Sequence, residues 1–103
     1  MDFSITRVLQ FEIRGKYSTG KLYIGGLRRD SEEEDGFWAC DWSLDEIHPK
    51  VGKINGIDGL DALLNCVLFV TNLIQRHASI GYEIWWHEKG DMAGLSLLQL
   101  DEE

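Results

Sequence analysis

The stretch NGIDGLDALLNCVLFVTNLIQRHA, residues 55–78, decides the fold. It is the one segment whose apolar residues recur at helical rather than alternating spacing. Asp58 stands before the first periodic residue, where its carboxylate can accept from the free N–H groups of a first turn. Asp61, three residues on, imitates a capping box with a shorter acid, and both carboxylates meet the positive end of the helix dipole. From Leu60 to about His77 the apolar positions cover most of the circumference. At 100° per residue they centre on Leu63, Val67, Val70, Ile74 and Leu60. Asp61, Asn65, Asn72, Gln75 and Arg76 form a narrow polar stripe, with Leu68 in its middle. The spacing predicts a mostly buried helix about 27–30 Å long, with one large apolar side chain facing outward. His77, at the C-terminal end, is placed to cap free carbonyls.

On both sides of this helix the period changes to two. Residues 3 to 14 put Phe3, Ile5, Leu9, Phe11 and Ile13 on one face and Ser4, Thr6, Gln10, Glu12 and Arg14 on the other, the pattern of a half-buried strand. Arg7 and Val8 break that pattern, and a β-bulge would explain them. GKYSTGK reads as a turn and KLYIGG as a second strand ended by Gly25-Gly26. In GFWACDWSL, Trp38, Cys40, Trp42 and Leu44 share the core-facing parity, with Phe37, Ala39, Asp41 and Ser43 opposite. Pro49 marks a turn or a sheet edge before a short strand near Val51 to Ile54. After the helix, YEIWWHE reads as a strand and KGDMAGL as a loop. LSLLQL is either a last edge strand or a segment folded back over the sheet. Strands, one helix, then strands favour an α+β fold: an antiparallel sheet of about four to six strands with one long helix packed across a face.

The chain has 103 residues, with 44% apolar and 27% charged side chains. That is the range of a single globular domain, residues 1–103, able to bury one modest core. The net charge of −8 opposes non-specific binding to nucleic acid, whose phosphates it would repel, and suits a partner with a basic face. Two cysteines far apart in the chain make no disulfide framework, and a cytoplasmic location is expected. The N-terminus lacks the basic start and apolar run of a signal peptide, and ALLNCVLFVTNLI is too short and interrupted for a membrane span.

No reaction is spelled out. Cys40 with His48 or His77 is the one pairing with nucleophilic potential, but Cys40 sits on the apolar parity between two tryptophans, where a cysteine acts as a small hydrophobe. His48, His77, His87, Cys40 and Cys66 are scattered, without metal-ligand spacing; His87, Glu88 and Asp91 are the nearest approach to a cluster. Gly25-Gly26 lacks the lysine, hydroxyl and following helix of a phosphate cradle. No enzymatic activity, cofactor or metal is expected.

YIGG, FWACDW and NGIDGLDALLNCV together resemble a family of small bacterial α+β proteins of unknown function. Its pattern is a strand ending in Ile-Gly, a polar loop, a Trp-x-Cys strand and a Gly-x-Asp-x-x-x-Ala-Leu helix start, matched here by Gly56, Asp58, Ala62 and Leu63. The resemblance covers roughly residues 20 to 75. The end departs from it, because DMAGLSLLQL lacks the proline-containing, glycine-rich finish of the family. What the resemblance implies is a cytosolic protein without catalysis, from genes beside toxin or secretion loci, in an immunity or antitoxin role.

The acidic stretch DSEEEDG places Asp30, Glu32, Glu33, Glu34 and Asp35 within six residues, directly before aromatic sequence. One reading is a solvated hairpin loop. The other is an acidic prong: crowded like charges repel one another, and a protein partner with a cationic cleft would relieve that repulsion and be steered in faster. A toxin from an adjacent gene would be such a partner, with Phe37 and Asp41 supplying contacts at the rim. In YEIWWHE both tryptophans cannot enter one core. Trp85 shares parity with Glu83 and His87 and is expected to be exposed, as binding hot spots often are. Leu68 in the polar stripe fits either a homodimer seam or a cover by the C-terminal tail. The site expected is therefore a protein-binding surface of Asp30, Glu32, Glu33, Glu34, Asp35, Phe37, Asp41, Leu68 and Trp85, with a homodimeric structural or accessory domain as the alternative.

Overall fold

The computed structural model describes residues 4–30 and 36–95. Among these residues five strands form one antiparallel sheet: β1 (Ser4–Ile13), β2 (Lys16–Arg29), β3 (Trp38–Leu44), β4 (His48–Gly56) and β5 (Tyr82–Trp85). Among the described residues a single α-helix, α1 (Gly59–Ala78), joins β4 to β5, and a short 3-10 turn, Met92–Gly94, follows. The strand order is β4-β3-β2-β1-β5. The fold class is thus α+β, with an antiparallel sheet and one helix.

β1 and β2 form a hairpin through Arg14 and Gly15, both with positive φ. A two-residue loop of that kind matches the right-handed twist of its strands. The turn therefore falls earlier than GKYSTGK suggests, and β2 gains five residues before Lys21. Pairing runs unbroken from Ser4 opposite Gly25 to Ile13 opposite Lys16, so no bulge occurs at Arg7 and Val8. Gly25-Gly26 does not end β2. The register against β3 slips between Gly25 and Arg28, and the strand continues to Arg29. β4 spans His48–Gly56, longer than the few residues expected, and Pro49 lies on this strand, which is an edge among the described residues, the position where a proline is tolerated in a sheet.

The core parity of β3 is as read: Cys40, Trp42 and Leu44 are buried and Trp38 packs against them. They share one apolar cluster with Leu9 and Phe11 of β1, Leu22 and Ile24 of β2 and Ile84 of β5. From α1 the cluster takes Ala62, Cys66, Val70 and Ile74. This stripe is rotated from the expected centre. Leu63 and Val67 are only half-buried, and Leu60 is exposed. The reason is steric. A Cβ at Gly56 would stand 2.2 Å from the Ala62 backbone nitrogen, so β4 and α1 touch backbone to backbone there. Only small residues fit such an approach, and the helix turns its Ala-Cys side inward while its larger leucines stay outside.

The helix start is as read from the sequence. The Asp58 carboxylate accepts from the Asp61 N–H at 2.8 Å. Asp61 reaches back one residue further than a capping box does, accepting from Ile57 N–H at 2.8 Å. The expected final segment LSLLQL lies mostly outside the described residues.

Candidate protein-binding surface

The acidic stretch connects β2 to β3, which pair antiparallel. Its stem closes through the Asp30 N–H donating to the Phe37 carbonyl at 2.7 Å. Glu32, Glu33, Glu34 and Asp35 lie outside the described residues. Asp30 itself is tied down: Lys53 Nζ donates to its carboxylate at 2.7 Å and Asn55 Nδ2 at 3.3 Å. These two hydrogen bonds, led by Lys53, hold the Asp30 carboxyl below its ordinary value. Asn55 also donates to the Trp38 carbonyl at 3.2 Å, so one side chain links the loop stem to the first residue of β3.

Asp41 lies on the outward parity of β3, as expected, but it is internally compensated. Arg28 Nη1 stands 2.9 Å from its carboxylate and also donates to the Gly26 carbonyl at 2.7 Å. The register slip at Gly25-Gly26 makes this pairing possible, because it brings Arg28 opposite Ala39, two residues from Asp41.

Phe37 is 58% exposed and Leu68 is 47% exposed. Trp85 is the correction: it is only 9% exposed. It does point with Glu83, away from the parity of Ile84, but that face is covered locally. The Tyr17 ring of β2 lies 6.1 Å from it and Lys89 Nζ 5.3 Å. Lys89 is held there by the Glu12 carboxylate at 2.6 Å, which also raises its pKa. Trp86 is the more exposed of the pair, with His87 stacked at 4.1 Å and the Arg7 guanidinium 3.6 Å from its ring centre.

The fold therefore does not gather all the expected residues. Trp85 is on β5, at the opposite edge of the sheet from β3 and β4. It does gather others at the hairpin end. Trp38 pairs with Gly56, which sets Phe37 and Ile57 just beyond that pair on neighbouring strands. Ile57 is 77% exposed and Leu60, in the first turn of α1, is 66% exposed. Phe37, Ile57 and Leu60, with Asp58 between the last two in sequence and Asp61 directly after, thus form an exposed apolar rim near the Asp30–Phe37 closure. The sequence left this rim unmarked, because the Leu63–Val67 side of α1 is as apolar as the Ala62–Cys66 side, and the close approach of Gly56 to Ala62 is what turns Leu60 outward.

No catalytic pair forms among the described residues. Cys40 and Cys66 are fully buried, and burial, with the neighbouring Asp41 carboxylate, pushes both thiols up. His48 packs on the Trp42 ring at 4.7 Å with Nδ1 2.7 Å from the Lys50 carbonyl, and His77 Nδ1 meets the Leu73 carbonyl at 2.9 Å. No three His, Cys, Asp or Glu residues among those described converge as metal ligands. No described helix is long and apolar enough to cross a membrane. No family model matches the chain, and no curated protein or solved structure matches it either.

Proposed function

We propose that this chain is a non-catalytic protein-binding module, a cytoplasmic immunity- or antitoxin-type protein that neutralises a basic toxin through an acidic surface. The observation that carries this reading is the composition of one end of the sheet. Residues 30–35 carry five carboxylates in sequence, directly before Phe37, which is exposed like Ile57 and Leu60. An apolar centre beside dense like charge suits a partner with a cationic cleft: the charge steers the encounter and the apolar contacts hold it. The net charge of −8 supports a basic protein over nucleic acid as the partner. In this reading α1 lies across one face of the sheet. The resemblance of YIGG, FWACDW and NGIDGLDALLNCV to a small bacterial family supports the immunity role and a toxin from an adjacent gene.

The test is a tagged copy used to capture the adjacent gene product, with and without Glu32, Glu33, Glu34 and Asp35 replaced by serine. Capture by the native chain should weaken steeply as salt rises, and the fourfold variant should bind less and lose most of that salt dependence. Equal capture by both chains removes the hairpin from the interface.

A second reading is a homodimeric structural or accessory domain. Leu60, Leu64 and Leu68 are all exposed and recur every four residues, so they form one apolar ridge on α1.

A further inference from the structure

At the β1–β2 hairpin the core face of the sheet continues past the core. Lys16 pairs with Ile13 and Ser18 with Phe11, and directly paired residues share a face. A lysine and a serine thus hold the parity that Leu22 and Ile24 hold further along β2. Tyr82 of β5 joins them, because it too stands opposite Ile13, and the His77 ring near the end of α1 lies 5.3 Å from its ring. From the other side of β2 the β3–β4 turn brings in Glu46; the preceding Asp45 N–H donates to the Lys21 carbonyl at 3.0 Å. Ile13, Arg14, Lys16, Ser18, Glu46 and Tyr82 together line a cleft of about 410 Å³, a size that suits a small molecule. Ser4, Asp30 and Leu95, where the description of the chain stops, lie toward the opposite end of β1 and β2. Ser4 pairs with Gly25, Asp30 follows the pair of Arg29 with Trp38, and Leu95 lines a groove with Ile5 and Arg7.

Two features of this cleft point to a ligand. Arg14 and Glu46 both have positive φ, 55° and 71°, a region that glycine and asparagine enter more readily. Opposite charges held at strained turn positions on the two sides of one cleft fit a site that keeps its strain for binding. Among the described residues, moreover, Glu46 forms no ion pair with Arg14 or Lys16. Two cations and one anion thus border one space without neutralising one another.

We propose that this cleft binds a small zwitterion, a free α-amino acid with an apolar side chain. Arg14 and Lys16 take its carboxylate, with the Ser18 hydroxyl as a further donor. Glu46 takes its ammonium group, and the apolar side chain rests on Ile13 and the Tyr82 ring. The order across the sheet matches the groups of such a ligand: an acid from the β3–β4 turn, bases on the hairpin, then apolar and aromatic side chains on β1 and β5. A phosphorylated ligand fits less well, because Glu46 repels additional negative charge. The site lies at the far end of β2 from Asp30 and does not depend on the function proposed above.

Titration of the isotope-labelled full chain with L-phenylalanine, followed through its amide resonances, tests this. Shifts that saturate by about 10 mM are expected at Arg14, Lys16, Ser18, Glu46 and Tyr82. Phenylpropionate, which lacks the ammonium group, and phenethylamine, which lacks the carboxylate, should each bind at least about tenfold more weakly. Arg14→Asn and Glu46→Asn place a residue suited to positive φ at each turn, so both variants keep the fold, and each should weaken L-phenylalanine binding at least about tenfold. Absence of saturable shifts at these amides overturns the proposal. So does either fragment binding as tightly as L-phenylalanine, since the cleft then reads one charge and not two. Unchanged affinity in either variant also overturns it, because the ligand is then held without that side chain.

Discussion

Arg7 sits on the core parity of β1, between Ile5 and Leu9, where the sequence pattern has no place for a charge. The structure gives it three partners: the Ala93 and Gly94 carbonyls and the face of Trp86. Met92 and Ala93 both have positive φ, a region that non-glycine residues rarely adopt, so the turn they form needs external support. Arg7 supplies it across 86 residues of chain. Arg7→Ala should cost about 1–3 kcal/mol, from lost charged hydrogen bonds and the cation–π contact. Urea titration measures the loss, and amide exchange should locate the first opening in residues 86–95. Loss spread evenly over the sheet would count against this role. The same residue shows a limit of pattern reading: a break in alternation marks a special position, but a bulge and a long-range anchor look alike in one dimension.

At the scale of elements, two features are open to direct measurement. The first is the contact of β4 with α1. Because a Cβ at Gly56 would meet the Ala62 N at 2.2 Å and Cα at 2.5 Å, both backbone atoms, Gly56→Ala must push strand and helix apart. A loss of about 3 kcal/mol or more is expected in chemical denaturation, whereas a cost below about 1 kcal/mol would show that the two elements are not in contact here. The second is the turn after β5. Its anchor is the Asp91 carboxylate, which accepts from the N–H groups of Trp86 at 2.9 Å, His87 at 2.7 Å and Glu88 at 3.1 Å. Partial burial alone would raise its pKa, but these backbone donors, with that of Ala93, outweigh burial and hold it below the usual value of 3.8. A depressed folded pKa gives stability that is present above the unfolded value, about 3.9, and lost as pH falls through the folded one. The Trp86, His87 and Glu88 amide resonances should titrate together with a midpoint below 3.8. A midpoint at or above that value would mean that the carboxylate is not so held.

For the whole molecule, the question is which surface is used. The exposed ridge of Leu60, Leu64 and Leu68 and the rim of Phe37, Ile57 and Leu60 share a residue, so one apolar zone runs from the hairpin end along α1. If the chain serves as a module for a basic partner, this zone is free in the isolated protein. Light scattering coupled to gel filtration should then report a mass near 11.8 kDa at high concentration. A mass of twice that would transfer the ridge to a homodimer seam, and Leu68→Glu should restore the monomer.

The sequence by itself determined the kinds of element and their order, the core parity of β3 and the Asp58 cap. Each of these depends on residues within a few positions of one another: alternation, a carboxylate three residues from an N–H, a proline that suits an edge. Only the tertiary structure decided which side of α1 turns inward, since Leu63 and Val67 are as apolar as Ala62 and Cys66, and the close approach at Gly56 settles the choice. It also decided that Trp85 is covered and Trp86 is the more exposed, through a tyrosine from β2 and a lysine held by Glu12. The pairings of Asp30 with Lys53 and of Arg28 with Asp41 join residues 23 and 13 positions apart through strand register. Period and propensity report which side chains share a face, whereas which face meets a neighbour depends on sterics between segments distant in the chain.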